Sequence, residues 1–107
     1  PTAAADIADA LWIVVQAFRN GRGKPGIYHF TGAPVVSWAD FAEAIFAGST
    51  LATPPKVKRI TTAEYPTPAK RPANSALDCA RIGAAYGIEQ PDWRQSLARV
   101  IGELEQR

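Results

Sequence analysis

Between residues 2 and 20 the apolar side chains Ile7, Leu11, Val14, Val15 and Phe18 recur at i, i+4, i+7, i+8 and i+11, the spacing of one helix face. Thr2 stands where a capping hydroxyl belongs, so the pattern predicts a helix from Thr2 to about Asn20, ended by Asn20-Gly21-Arg22-Gly23. The period then changes. Ile27-Tyr28-His29-Phe30-Thr31 is short, aromatic and β-branched, is bordered by Gly26 and Gly32, and carries bulky groups on both faces, which predicts an inner strand. Ser37 and Asp40 resemble a capping box ahead of the stripe Trp38, Phe41, Ala42, Ile45 and Phe46, predicting a helix that stops at Gly48. Pro54-Pro55 leads into Val57-Lys58-Arg59-Ile60-Thr61, a predicted edge strand whose lysine discourages unwanted pairing. Asp78 is placed to cap a short helix through Ile82, Ala85 and Tyr86, closed by Gly87. Asp92 and Gln95 then open a last helix with Trp93, Leu97, Val100, Ile101 and Leu104 on one face. The order helix, strand, helix, strand, loop, helix, helix predicts an α/β fold. It is a small mixed domain of about four helices and two short strands, too small for a complete doubly wound sheet.

Composition narrows the function classes. A chain of 107 residues is one domain, 1–107, and with 47% hydrophobic and 21% charged residues it belongs with globular proteins rather than disordered ones. The net charge of +2 is too mild for sequence-independent nucleic-acid binding, so no nucleic-acid partner is expected. The cations come instead in small groups, Arg19, Arg22 and Lys24, then Lys56, Lys58 and Arg59, then Lys70 and Arg71, which suits a local anionic group better than a polyanion. Cys79 is the only cysteine, so no internal disulfide forms and the cytoplasm is the expected compartment. The apolar run Ala10–Val15 is far short of the ~20 residues that span a bilayer, and no membrane association is expected. The chain has no Met and opens on Pro1-Thr2, and it reads as part of a longer protein.

Gly21-Arg22-Gly23-Lys24-Pro25-Gly26 matches the dinucleotide fingerprint G-x-G-x-x-G by letter but not by context. That fingerprint needs a strand before it and a helix after it, whereas here a helix precedes and Pro25 has no N–H to donate, so a turn is expected. His29 has no second histidine or cysteine at ligand spacing and reads as structural; Cys79 reads as a small residue at a helix start. Trp12, Trp38, Phe41, Phe46 and Trp93 lie at helical spacing and read as packing groups, although Trp38, at a helix start, is also placed to line a pocket. Arg71 carries the most chemistry. Its planar guanidinium binds phosphate oxygens two at a time, and Pro66, Pro68 and Pro72 restrict the surrounding loop, so less entropy is lost when a ligand orders it. Asn74 and Ser75 add short hydrogen-bonding groups nearby.

Three stretches, GIYHFTGAPVVSWADFAEAIF (26–46), TTAEYPTPAKRPANSALD (61–78) and GIEQPDWRQSLARVI (87–101), together with the opening PTAAADIADAL, resemble the C-terminal part of the dTDP-4-dehydrorhamnose reductases. These are extended short-chain dehydrogenase/reductases, and YPTPAKRPANSALD is the most specific part of the likeness. The resemblance implies the C-terminal substrate domain of an NAD(P)-binding, Rossmann-type reductase that makes dTDP-L-rhamnose for surface polysaccharides. NADPH would be bound by an N-terminal Rossmann domain, which in the family also carries a catalytic Tyr-x-x-x-Lys pair. This chain has no such pair, since Gly32, Ala69 and Gln90 follow four residues after Tyr28, Tyr65 and Tyr86, so no catalytic residue and no hydride transfer is expected of it alone. By the resemblance Arg71, with Lys70, faces the dTDP diphosphate or shapes the cleft wall beside it, and Asn74, Ser75 and Thr67 are further substrate-binding groups; Trp38 joins them from its place at a helix start. The implied partners are a dTDP-sugar and the Rossmann domain of the same parent. A homodimer is a further possibility, in some relatives with a divalent metal such as Mg2+ at the interface, for which no ligand cluster stands in this sequence. Two other readings stay open here: a non-catalytic relative such as the regulatory subunit of methionine adenosyltransferase, and a free-standing protein-interaction domain.

Overall fold

A computed structural model describes every residue, Pro1–Arg107. Four α-helices form, α1 Ala4–Arg19, α2 Trp38–Gly48, α3 Ala80–Tyr86 and α4 Trp93–Glu105, with one 3₁₀ turn at Thr62–Glu64. Three of the expected termini are made as the residues dictate. Ser37 accepts a hydrogen bond from the Asp40 N–H to start α2, and Asp92 accepts from the Arg94 N–H to start α4. Gly87, left-handed at φ 67°, closes α3 through its N–H to the Gly83 carbonyl. At the start of α1 the expectation fails: Ala3 is the cap residue, and the Thr2 hydroxyl instead accepts from the Gly32 N–H.

The two expected strands are absent, and the α/β assignment is corrected to a helical fold without a sheet. Ile27–Thr31 and Val57–Thr61 have strand-like composition, but a strand exists only where a neighbour completes its ladder. Within this chain Ile27–Thr31 is held by side chains: Arg81 donates to the Ile27 carbonyl and Gln90 to the Thr31 carbonyl. Ile27 is 76% exposed, not an inner-strand residue. A single parallel bridge joins Ala33 to Asp92, through Ala33 N–H to the Pro91 carbonyl and Trp93 N–H to the Ala33 carbonyl. The Trp93 indole N–H adds a bond to the Pro34 carbonyl, across the cis Ala33–Pro34 peptide. The segment after α1 is thereby clamped to the start of α4.

The core is small. Ala10, Cys79, Ile82 and Ile88 pack between α1 and α3, supported by half-buried Val14, Tyr28, Phe30 and Tyr86. A second packing joins α2 to α4, where Phe41 meets Trp93 edge to face at 5.7 Å. Asp6 of α1 ties to α4 through Ser96 and Arg99. Much of the expected apolar stripe of α1 does not face this core: Ile7, Leu11, Val15 and Phe18 are exposed while Ala10 and Val14 turn inward. The molecule is flat, 52 × 38 × 21 Å, with a radius of gyration of 17.1 Å. About 13 Å is typical of a closed domain of this length.

Candidate functional site

The stretch from Ile60 to Asp78 crosses the surface with every residue exposed. Its order is local. Thr61 and Glu64 form a capping box, in which the Glu64 carboxylate accepts from the Thr61 N–H at 2.6 Å and the Thr61 side chain accepts from the Glu64 N–H, while the Glu64 N–H to the Thr61 carbonyl closes the turn itself. Further on, the Thr67 hydroxyl donates to the Ala69 carbonyl at 2.8 Å, and Asn74 Oδ1 accepts from the Ala76 N–H at 2.9 Å, a turn closed by its own side chain. The Asp78 carboxylate accepts from the Ala80 N–H, so its cap comes one residue before the Cys79 cap position of α3. Between these small turns Lys70, Arg71 and Ser75 are exposed, and neither cation joins an ion pair. The Arg71 guanidinium makes no ion pair within the chain.

Tertiary tethers hold the stretch at its two ends. Downstream, buried Cys79 lies 3.5 Å from the Thr31 hydroxyl. Upstream, Arg59 Nη2 reaches two carboxylates of α2, Asp40 at 2.5 Å and Glu43 at 2.6 Å. The guanidinium hydrogen bond, then that of Ser37, hold the Asp40 carboxyl below its ordinary value, and the two carboxylates together raise Arg59. Trp38 stands on the same first turn of α2 as Asp40, 86% exposed and edge-on to Phe41 at 6.4 Å. The Arg59 bridge therefore brings the root of the loop to the turn that displays Trp38. Sequence reasoning did not single out this bridge, although Asp40 and Glu43, three apart on one helix, were a legible acidic pair.

The glycine-rich turn has another job. Gly21, left-handed at φ 71°, ends α1 with its own N–H to Phe18 and the Arg22 N–H to Ala17. The Lys24 N–H donates to the Tyr86 hydroxyl, and its carbonyl accepts from Tyr28 and Tyr86. The Gly21, Arg22 and Lys24 backbone groups are thus bonded within the chain, and the turn joins a helix to an extended segment rather than a strand to a helix. Burial, then the neighbouring Tyr86, push the Tyr28 phenol up, opposed by Arg81. Beside this turn lies an open groove of about 560 Å³ lined by Trp12, Ile13, Tyr86, Arg22 and Lys24 among others. His29 is exposed, and no three His, Cys, Asp or Glu side chains of this chain converge. Of the aromatic set only Trp93 is buried; Phe41 and Phe46 are half-buried, and Trp12 and Trp38 lie open.

Comparison with known proteins adds a family. The RmlD substrate binding domain matches residues 1–106. Relatives include the dTDP-4-dehydrorhamnose reductase of Aggregatibacter actinomycetemcomitans, 50% identical over 98% of this chain and 37% of the relative. That of Sinorhizobium fredii is 37% identical over 97% of this chain and 36% of its own length. The spore coat polysaccharide biosynthesis protein SpsK of Bacillus subtilis is 37% identical over 96% of this chain and 33% of its own. The chain spans about a third of the length of the curated relatives it matches. Neither the regulatory relative nor the free-standing interaction domain is favoured by these likenesses.

Proposed function

Because the chain belongs to the RmlD substrate binding domain family, we propose that it is the sugar-nucleotide-binding part of a dTDP-4-dehydrorhamnose reductase. The parent would reduce dTDP-4-dehydro-L-rhamnose to dTDP-L-rhamnose in the cytoplasm, with NADPH held by an N-terminal Rossmann-type domain. The observation that carries the reading is the family match along residues 1–106, reinforced by reductases up to 50% identical over nearly the whole chain. The exposed stripe Ile7, Leu11, Val15 and Phe18 supports it from geometry, as an apolar face suited to the other domain. Reduction itself then belongs to that domain, and this chain contributes binding and orientation.

In this reading Arg71 sets its planar fork against the diphosphate oxygens of the dTDP-sugar, a charge-assisted contact that also fixes orientation. Lys70 adds a second positive charge. Ser75 supplies a hydroxyl, Thr67, whose proton goes to the Ala69 carbonyl, keeps only its oxygen to accept from the ligand, and Asn74, whose Oδ1 is already used by the Ala76 N–H, keeps its amide N–H groups to donate to it. Trp38 lines the cleft from α2. Fixing the sugar against a reactive centre in the facing domain raises its effective concentration there.

Titrating the full-length protein with dTDP, followed by tryptophan fluorescence, tests this directly. Arg71→Ala is expected to raise Kd at least about tenfold, because a lost charged hydrogen bond costs about 1.5–3 kcal/mol. An unchanged Kd would remove the loop from the binding site.

A further inference from the structure

Nineteen consecutive residues, Ile60 to Asp78, are exposed and bond only to their near neighbours. Prolines stiffen such a segment but do not aim it. Its direction has to come from the tethers at its ends, and upstream the nearest tertiary tether is Arg59. Both of its ion pairs run through one nitrogen, Nη2, to carboxylates at 2.5 and 2.6 Å on successive turns of α2. Without that cation, Asp40 and Glu43 would be left as like charges three residues apart on one helix face, a mutually repulsive pair. Arg59 is thus a cross-brace between α2, which displays Trp38, and the strap that leads to Arg71.

We propose that Arg59, clasped by Asp40 and Glu43, is a positioning residue that aims the proline-framed loop so that Arg71 and Trp38 face the same bound sugar nucleotide. The inference rests on the reading of this loop as the sugar-nucleotide site. It assigns Arg59 no contact with the ligand. What Arg59 sets is the fraction of molecules whose loop is already in the binding arrangement, and apparent affinity scales with that fraction. The reacting geometry in molecules that do bind is unaltered. The brace therefore acts on KM and not on kcat.

The full-length protein provides the test, through steady-state reduction of the dTDP-4-keto sugar with NADPH and hydrogen exchange of the backbone amides around the Thr61–Glu64 box. Arg59→Ala is expected to raise KM for the sugar nucleotide roughly twofold to fivefold, the scale of an exposed charge pair, with kcat held. Exchange at the box should quicken, and Arg59→Lys, which keeps the cation, should recover most of the KM. Glu43→Gln, which leaves the Asp40 arm intact, should give a smaller rise. If Arg59→Ala leaves KM at its wild-type value while Arg71→Ala raises it, the positioning role is overturned and the binding loop stands. Should Arg71→Ala also leave KM unmoved, the binding reading falls and takes this inference with it. A fall in kcat with unchanged KM would place Arg59 elsewhere in the mechanism and overturn the proposal as well.

Discussion

Ser96 is only 2% exposed, the most buried polar residue of the chain, and it joins two helices distant in sequence. Its hydroxyl donates to the Asp6 carboxylate and accepts from Arg99 Nη2 at 3.1 Å, while Arg99 reaches the other Asp6 oxygen at 2.9 Å. Each member satisfies the other two, so removing one leaves a largely buried carboxylate short of a donor. Ser96→Ala is expected to cost about 1–3 kcal/mol in urea unfolding, the penalty of an unsatisfied buried group. A change below ~0.5 kcal/mol would show that water replaces the hydroxyl. Asp92 is a second residue with a readable consequence. Bonds from the Arg94 side chain and then its backbone N–H hold the Asp92 carboxyl below its ordinary value of 3.8. A carboxyl lowered in the folded state contributes stability that is present above the unfolded value and lost as pH falls through the folded one. The start of α4 should therefore fray on acidification below about pH 4, visible by far-UV circular dichroism. Asp92→Asn keeps an oxygen for the Arg94 N–H but cannot titrate, and should flatten that acid limb. An identical limb in the variant would assign the acid loss to other groups.

At the scale of elements, helices were legible where a 3.6-residue period coincided with a local cap. Ser37 and Asp92 bond to the N–H groups two or three residues on, and Gly87 closes α3, so everything those boundaries need lies within one turn of sequence. Strands carry no such local closure. Ile27–Thr31 has the composition of a strand, yet its outer carbonyls take side-chain donors from Arg81 and Gln90, because no second strand lies beside it in this chain. The stripe of α1 shows the same limit in another form. Periodicity finds an apolar face but not what it faces, and the residues turned to α3 are Ala10 and Val14, while Leu11 and Trp12 remain 60% and 56% exposed. In the candidate site, Arg71 and its prolines could be singled out from sequence because guanidinium chemistry and fixed backbone are properties of single residues. The Arg59 brace was not, since its three members come together only when the loop crosses α2.

At the scale of the whole molecule, surface decides what the chain needs. A closed monomer of 11.5 kDa exposes roughly 5,800 Å² by the usual scaling of area with mass. This chain exposes 8453 Å², an excess of roughly 2,600 Å² over that scaling. A standard interface covers about 800 Å² per partner, so the excess is enough for a domain contact and a ligand cleft together. The exposed apolar stripe of α1 is the part of that excess least suited to water. If it seats the nucleotide-binding domain, then Leu11→Lys with Val15→Lys should lose about 3–6 kcal/mol in the full-length protein, from two large apolar side chains no longer buried. The same pair should act oppositely on the isolated segment Pro1–Arg107. There the stripe has no partner, and the wild-type segment is expected to self-associate, by size-exclusion chromatography, more strongly than the double lysine variant. Opposite signs in the two contexts would follow only from a face covered in one and bare in the other. A full-length double variant that melts with the wild type would show the stripe facing solvent in both, and the interdomain contact would have to be sought on another face.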